Sequence, residues 1–331
     1  MNHDKEREGW NRRQFLTRSA KAGAAVFSAA AAGYLFHDTS GPAAFKENRP
    51  TVRLPHYTPA GLKNRICVSK GGDRKQTIQA ALKALGGIEA FIKKGDRVLL
   101  KVNAAFASPP LISATTHPDL VTEITKQCFQ AGAAAVMVTD NPINDPASCF
   151  QLTGIGRAAE SAGARLILPR EHLFADLTVP EARLLVRWPV LHEPLRAADK
   201  LIGLAPLKDH HRSGASMTMK NWYGLLGGRR NIFHQDIHNI IRELALMIKP
   251  TFVILDATTT MMKNGPTGGS LSDLKQTNTM IVSTDQVAAD AYGAGLLSKS
   301  VSDLPFLAMA EQAGAGTTDF QSLNPIIVSE G

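Results

Sequence analysis

Val98-Leu99-Leu100-Lys101-Val102, closed by Asn103, is a short apolar run between the turn at Gly95-Asp96 and a polar segment. A run this short and this continuously apolar fits a strand covered on both faces. The next periodic stretch opens at Pro118 behind Thr116-His117, where Thr can cap a helix and Pro suits its first turn. Leu120, Val121, Ile124 and Cys128 then recur at helical spacing, Gly132 stops the helix, and Ala135-Val136-Met137-Val138 forms the following strand.

The alternation extends in both directions. Upstream, Ile66-Cys67-Val68 reads as a strand, and Ile78, Ala81, Leu82 and Leu85 mark a helix that Gly86-Gly87 ends. Downstream come a helical stretch at 155–163, a strand from Arg165 to Leu168, and an irregular hairpin excursion between Phe174 and Val190. Leu201-Ile202-Gly203-Leu204 resumes the pattern, followed by a helix carrying Ile237, Ile240, Ile241 and Leu244. Strands at Phe252–Leu255 and Met280–Val282 and a last helix from about Asp285 complete it. The expected fold is α/β, a largely parallel or mixed sheet with helices on both faces. It forms one domain over residues 64–331, after a linker at 45–63.

Composition narrows the class. Of the 331 residues 44% are hydrophobic and 20% charged, which excludes a disordered, collagen-like or disulfide-scaffold chain. The net charge of +8 is spread along the sequence, with no basic block interleaved with aromatics, so no nucleic-acid partner is expected. Cys67, Cys128 and Cys149 form no C-x-x-C pair and cannot supply a four-cysteine iron–sulfur cluster.

Residues 1–44 read as an address. A basic head precedes the uncharged, Ala-rich run Ala22–Phe36, too short and mild for a good permanent anchor. Between them, Arg12-Arg13-Gln14-Phe15-Leu16 resembles the twin-arginine export motif. That resemblance implies the twin-arginine machinery as a partner and the periplasm, or the outer side of the inner membrane, as destination. No good small-x-small cleavage site follows, which leaves uncleaved attachment open.

Polar residues gather where strands end: Lys101 with Asn103, Asp140-Asn141, Lys208-Asp209-His210-His211, Asp256, and Ser283-Thr284-Asp285. In an open parallel sheet these lie along one edge, where α/β proteins bind ligands. The stretch Ser216 to Gly224 mixes hydroxyls, a cation, an amide and aromatics, a poor core pattern and a plausible ligand wall. Lys101, Lys208 and Lys220 would bring positive charge to a small anionic molecule, with Asn103, Asn221 and Gly265 as further contacts. The glycine-rich loop Lys263–Ser270 can turn backbone amides towards an anion. His210 or His117 would serve acid–base chemistry, since imidazole titrates near neutral pH, and Lys220 joins them as a catalytic candidate. His210 and His234, with Asp140 or Asp256, offer the donor types of a divalent transition-metal site, without a tight metal-binding spacing. Asp290 falls on the buried side of the last helix and needs a partner: it either caps a neighbouring loop, for which the 208–221 segment is the candidate, or supports the groups of the cleft from behind.

Several of these segments, taken in order, resemble the large bacterial and archaeal family known as domain of unknown function 362. The matching stretches include Lys101-Val102-Asn103, Thr115-Thr116-His117-Pro118, Leu207-Lys208-Asp209-His210, Met217 to Leu225 and Asn264-Gly265-Pro266. Many members of that family carry a ferredoxin-like module, which implies redox work. This chain lacks the cysteines for it, so a redox role would need a separate electron-transfer protein. Two readings follow: an exported enzyme acting on a small anionic substrate, metal- or redox-linked, and a non-catalytic ligand-binding or cofactor-handling protein serving an exported redox complex.

Overall fold

The computed structural model describes residues 11–35, 51–59 and 61–329. The chain divides into two units, residues 1–47 and 48–331. In the first, the paired arginines sit in the opening turn of a helix, Arg12–Leu35. Asn11 caps it, its Oδ1 accepting from the Gln14 N–H at 2.8 Å. Among the described residues no helix is long and apolar enough to cross a membrane. The head residues 1–10 and the stretch 36–50, where the sequence reading sets the boundary between an export address and a linker, lie outside the described residues.

The second unit is built on eleven strands: β1 (Ile66–Lys70), β2 (Arg97–Lys101), β3 (Ala135–Thr139), β4 (Arg165–Ile167), β5 (Phe174–Leu177), β6 (Trp188–Leu191), β7 (Lys200–His210), β8 (Gly214–Ser216), β9 (Phe252–Met261), β10 (Leu274–Ser283) and β11 (Ile326–Ser329). Nine form one sheet in the order β11-β1-β10-β9-β7-β2-β3-β4, with β8 beside β7, and β5–β6 form a separate hairpin where the irregular excursion was expected. The run β9-β7-β2-β3-β4 is parallel throughout. Helices cover both faces, so the α/β architecture is as the sequence reads.

One strand runs against the expectation that all five polar clusters share a single edge. β10 is antiparallel to both β9 and β1, and its last residue, Ser283, lies opposite Ile66 at the start of β1. The cluster Ser283-Thr284-Asp285 therefore sits on the edge away from the other four. There Asp285 caps the helix Gln286–Leu296 through the Val287 and Ala288 N–H groups.

Side-chain alternation along each strand divides the core in two. In β2, Val98 and Leu100 pack with Ile78, Leu82 and Ile124 under the helices Arg74–Ala84 and Pro118–Gln130. Leu99 packs into the other layer, with Trp222, Leu207, Leu255 and Leu244. Lys101, two residues beyond Leu99, projects on that second side, and the candidate site is built there.

Candidate functional site

β7, β2 and β3 end side by side and deliver Lys208 with His210, Lys101 and, one residue past its strand, Asp140. Across their ends lies the short helix Thr218–Asn221, running on through Tyr223 and Gly224. Together they enclose a cavity of about 270 Å³, lined by Lys101, Asn103, Asp140, Lys208, His210, Lys220, Asn221 and His234 among the residues singled out from sequence.

Part of this lining is already satisfied. Lys101 Nζ lies 2.8 Å from Asp140 Oδ1 and donates to the Val102 carbonyl at 2.7 Å and to Asn221 Oδ1 at 3.1 Å. Asp140 Oδ2 accepts from the Ala104 N–H at 2.7 Å. Asn221 Nδ2 donates to the carbonyls of Lys101 and Leu204, so this amide locks β2, β7 and the overlying helix together. The backbone crosses the ion pair at Gly224, where a Cβ would stand 1.9 Å from Asp140 Oδ1. Arg230 donates to the carbonyls of Tyr223, Leu226, Asn141 and Pro142. Burial pulls both the Lys101 amine and the Arg230 guanidinium below their ordinary values.

The rest keeps hydrogen-bonding capacity to spare, and most of that capacity is to donate. Lys208 gives one bond, to the Ala114 carbonyl, and stands 5.2 Å from the centroid of the Phe106 ring. Burial, reinforced by Lys220, pushes its pKa down to about 7. Lys220 stands over the Tyr223 ring at 5.3 Å and has no carboxylate or carbonyl partner among the described residues. Burial, with Arg230 and Lys101 nearby, brings its pKa down to about 8. His210 Nδ1 accepts from the N–H groups of Arg212 and Ser213 at 3.2 and 3.3 Å, which leaves the ring proton on Nε2. Burial and the two lysines hold its pKa down at about 2, so the imidazole stays neutral and offers the cavity an N–H. Burial and the neighbouring lysines thus run against the titration near neutral pH that the sequence suggests for His210. Ser216, paired with Lys208 across β7 and β8, also faces the cavity.

Of the remaining candidates, Asp256, His117 and Gly265 lie outside the cavity, and His234 lies on its wall. Asp256 is bound by Arg74 Nε at 2.8 Å and the Thr258 N–H at 2.9 Å. His117, rather than Thr116, caps the helix Pro118–Gln130, its Nδ1 accepting from the Asp119 N–H at 3.3 Å. Thr116 instead ties Asn103 N–H to the Leu204 carbonyl. His117 and Arg74 line a separate groove of about 290 Å³. Gly265 donates to Asp209 Oδ2 at 3.3 Å, and a Cβ there would stand 1.8 Å from the Asp209 carbonyl oxygen. Its neighbour Pro266, not Gly265, reaches the cavity. His234 stacks on His210 at 6.1 Å and shares its Nδ1 with the Tyr223 hydroxyl. The four-donor metal set is thus divided, Asp256 being held by Arg74 outside the cavity and Asp140 engaged by Lys101 within it. Among the described residues no group of three or more His, Cys, Asp or Glu is placed to hold a metal.

Ser216 and Tyr223 were visible only as parts of a mixed polar and aromatic wall, without roles of their own, and sequence reasoning missed Arg230 altogether. Arg230 opens the 3-10 segment Arg230–Asp236, where no periodicity marks a buried face. The only signal was its place in the polar, histidine-rich window around residues 206–238.

Residues 98–295 match the family described as domain of unknown function (DUF362), and the chain belongs to that family. It is 24% identical over 265 residues to a thylakoid-associated protein of Synechocystis sp., covering 78% of this chain and 80% of that one. Among solved structures it is similar to the lactate racemase apoprotein of Thermoanaerobacterium thermosaccharolyticum, with a TM-score of 0.38 and 13% identity. That likeness covers 76% of this chain and 60% of the other.

Proposed function

We propose that this chain is an α/β protein that binds a small anionic molecule in the cavity at the ends of β2, β3 and β7. One observation carries the reading: four buried or half-buried cations, Lys101, Lys208, Lys220 and Arg230, line the cavity against a single carboxylate among the described residues, Asp140. Lys101 and Arg230 set the field while Lys208, Lys220 and the His210 Nε2–H meet the ligand. A buried cation without a counter-ion is costly, and an anion relieves that cost.

If the bound molecule is turned over, the groups able to move a proton near neutral pH are Lys208 and Lys220. An amine near pH 7 or 8 can act as base and, once charged, as acid. His210, held neutral, polarises an oxygen. The N-terminal Arg12-Arg13-Gln14-Phe15-Leu16 is proposed as an export address, tested by whether the double substitution Arg12→Lys with Arg13→Lys retains the chain inside the cell.

Calorimetric titration with acetate, nitrate, malonate and sulfate tests the binding reading. Saturable binding of at least one anion, weakened by Lys208→Met and Lys220→Met together and absent for neutral acetamide, is expected. No binding by any of them to folded protein would overturn it.

A further inference from the structure

We propose that the cavity is specific for a doubly charged oxyanion group, a phosphate- or sulfate-like group or a closely spaced dicarboxylate, held between Lys208 and Lys220. This rests on the anion-binding reading and narrows it.

The argument is a balance of charges and hydrogen-bonding groups. Lys101 and Asp140 cancel one another at 2.8 Å. The Arg230 guanidinium is spread over four backbone carbonyls, whose dipoles point their negative ends at it. His210 contributes no charge, because its Nδ1 is committed to two backbone N–H groups. Two cations remain. Lys208 has one carbonyl and a ring face, and Lys220 has a ring face alone. Among the described residues no second carboxylate lines the cavity. A singly charged ligand would leave one of the two amines either bare as an ammonium in a buried setting or forced to give up its proton, and a doubly charged ligand lets both stay charged and paired.

The hydrogen-bonding inventory points the same way. Of the cavity groups with capacity to spare, Lys208 and Lys220 have only N–H to offer, and His210 presents Nε2–H. The Ser216 hydroxyl adds a group that can donate, and the Asn103 side-chain amide adds another two N–H. A lining this rich in donors calls for a partner with many lone pairs and few protons of its own. A single carboxylate supplies roughly four acceptor sites on two oxygens, whereas a tetrahedral dianion or a dicarboxylate supplies oxygens facing several directions at once.

Isothermal titration at fixed ionic strength and pH 7 separates the outcomes. Sulfate and malonate represent the tetrahedral and dicarboxylate arms, and nitrate and acetate the monoanions. The dianions should bind roughly tenfold or more tightly, the size expected of one added charge-assisted contact. Lys220→Met should bring dianion and monoanion affinities together, while Lys220→Arg keeps the preference. Thermal unfolding of each variant establishes that it is folded. Sulfate exceeding malonate marks a phosphate-like ligand, and the reverse a dicarboxylate, each within the proposal. Nitrate or acetate binding as tightly as both dianions overturns the dianion inference and leaves anion binding standing. Failure of all four overturns both.

Discussion

A methyl group at Gly224 would stand 1.9 Å from Asp140 Oδ1 and 2.6 Å from Lys101 Nζ, so the buried ion pair depends on the absence of a side chain there. Gly224→Ala must push the pair apart or lift the segment that carries Lys220. Lys101→Met leaves Asp140 buried without its counter-ion, a change that costs on the order of 3–5 kcal/mol. Both variants should lower the midpoint of urea unfolding, and anion affinity should fall with them. Lys208 and Lys220, at about 7 and 8, set the pH behaviour. Their folded-state values lie below those of an exposed lysine, so the free native protein binds fewer protons than the unfolded chain. Their contribution to stability therefore grows as pH rises above 7 and is lost as pH falls through the folded values. Anion affinity runs the other way, strongest near pH 6 and weakening towards pH 9 as the amines discharge, which titrations across that range would measure. His210, at about 2, adds no step to anion affinity between pH 5 and 7. His210→Gln, which keeps an N–H donor, should bind anions better than His210→Phe. Lys101 and Lys208 are legible in the sequence because each lies towards the end of an apolar strand, and Lys220 because it stands in a stretch too polar to be core. The neutrality of His210 is not, since it depends on burial and on two lysines that only the fold brings beside it.

The four-residue helix Thr218–Asn221 has too few residues to hold itself together, yet it places Lys220 and Asn221. Asp290, fully buried in the helix Gln286–Leu296, supplies the missing support. Its Oδ1 accepts from the Thr218 N–H and hydroxyl at 2.8 and 2.6 Å, and its Oδ2 from the Met219 N–H at 3.0 Å. Above pH 7, where the carboxylate is charged, Asp290→Asn should cost about 2 kcal/mol, the scale of a hydrogen bond to a charged group. It should also blunt the preference for charged ligands by loosening Lys220. Burial raises the Asp290 carboxyl to about 7, so the native state holds its proton where the unfolded chain has lost it. The stability this contributes is full below the ordinary carboxyl value and lost as pH rises through 7, so wild type gains on Asp290→Asn as pH falls from 7 to 4, which paired unfolding curves would reveal. The need for a partner at this carboxylate was legible from its helical face. Strand direction was not: the Met280–Val282 run looks like its parallel neighbours, because strands buried on both faces share one composition whichever way they run. That is why Asp285, a helix cap, was grouped with the cavity, and why Asp256 and His117, on the other layer, were read as its members.

Across the whole molecule, parallel β7, β2 and β3 concentrate cations at one edge while acidic residues are tied up away from it. Asp256 is taken by Arg74, Asp285 by backbone N–H groups and Asp290 by the helix under Lys220. The consequence is a local excess of positive charge much sharper than the diffuse +8 of the chain suggests. The most direct test is anomalous diffraction from crystals soaked in selenate, a heavy dianion that can be located without prior assumption. The account predicts its strongest peak between Lys208 and Lys220, lost in Lys220→Met crystals of the same form. A cavity without selenium, with peaks only at exposed lysines and arginines, would contradict it.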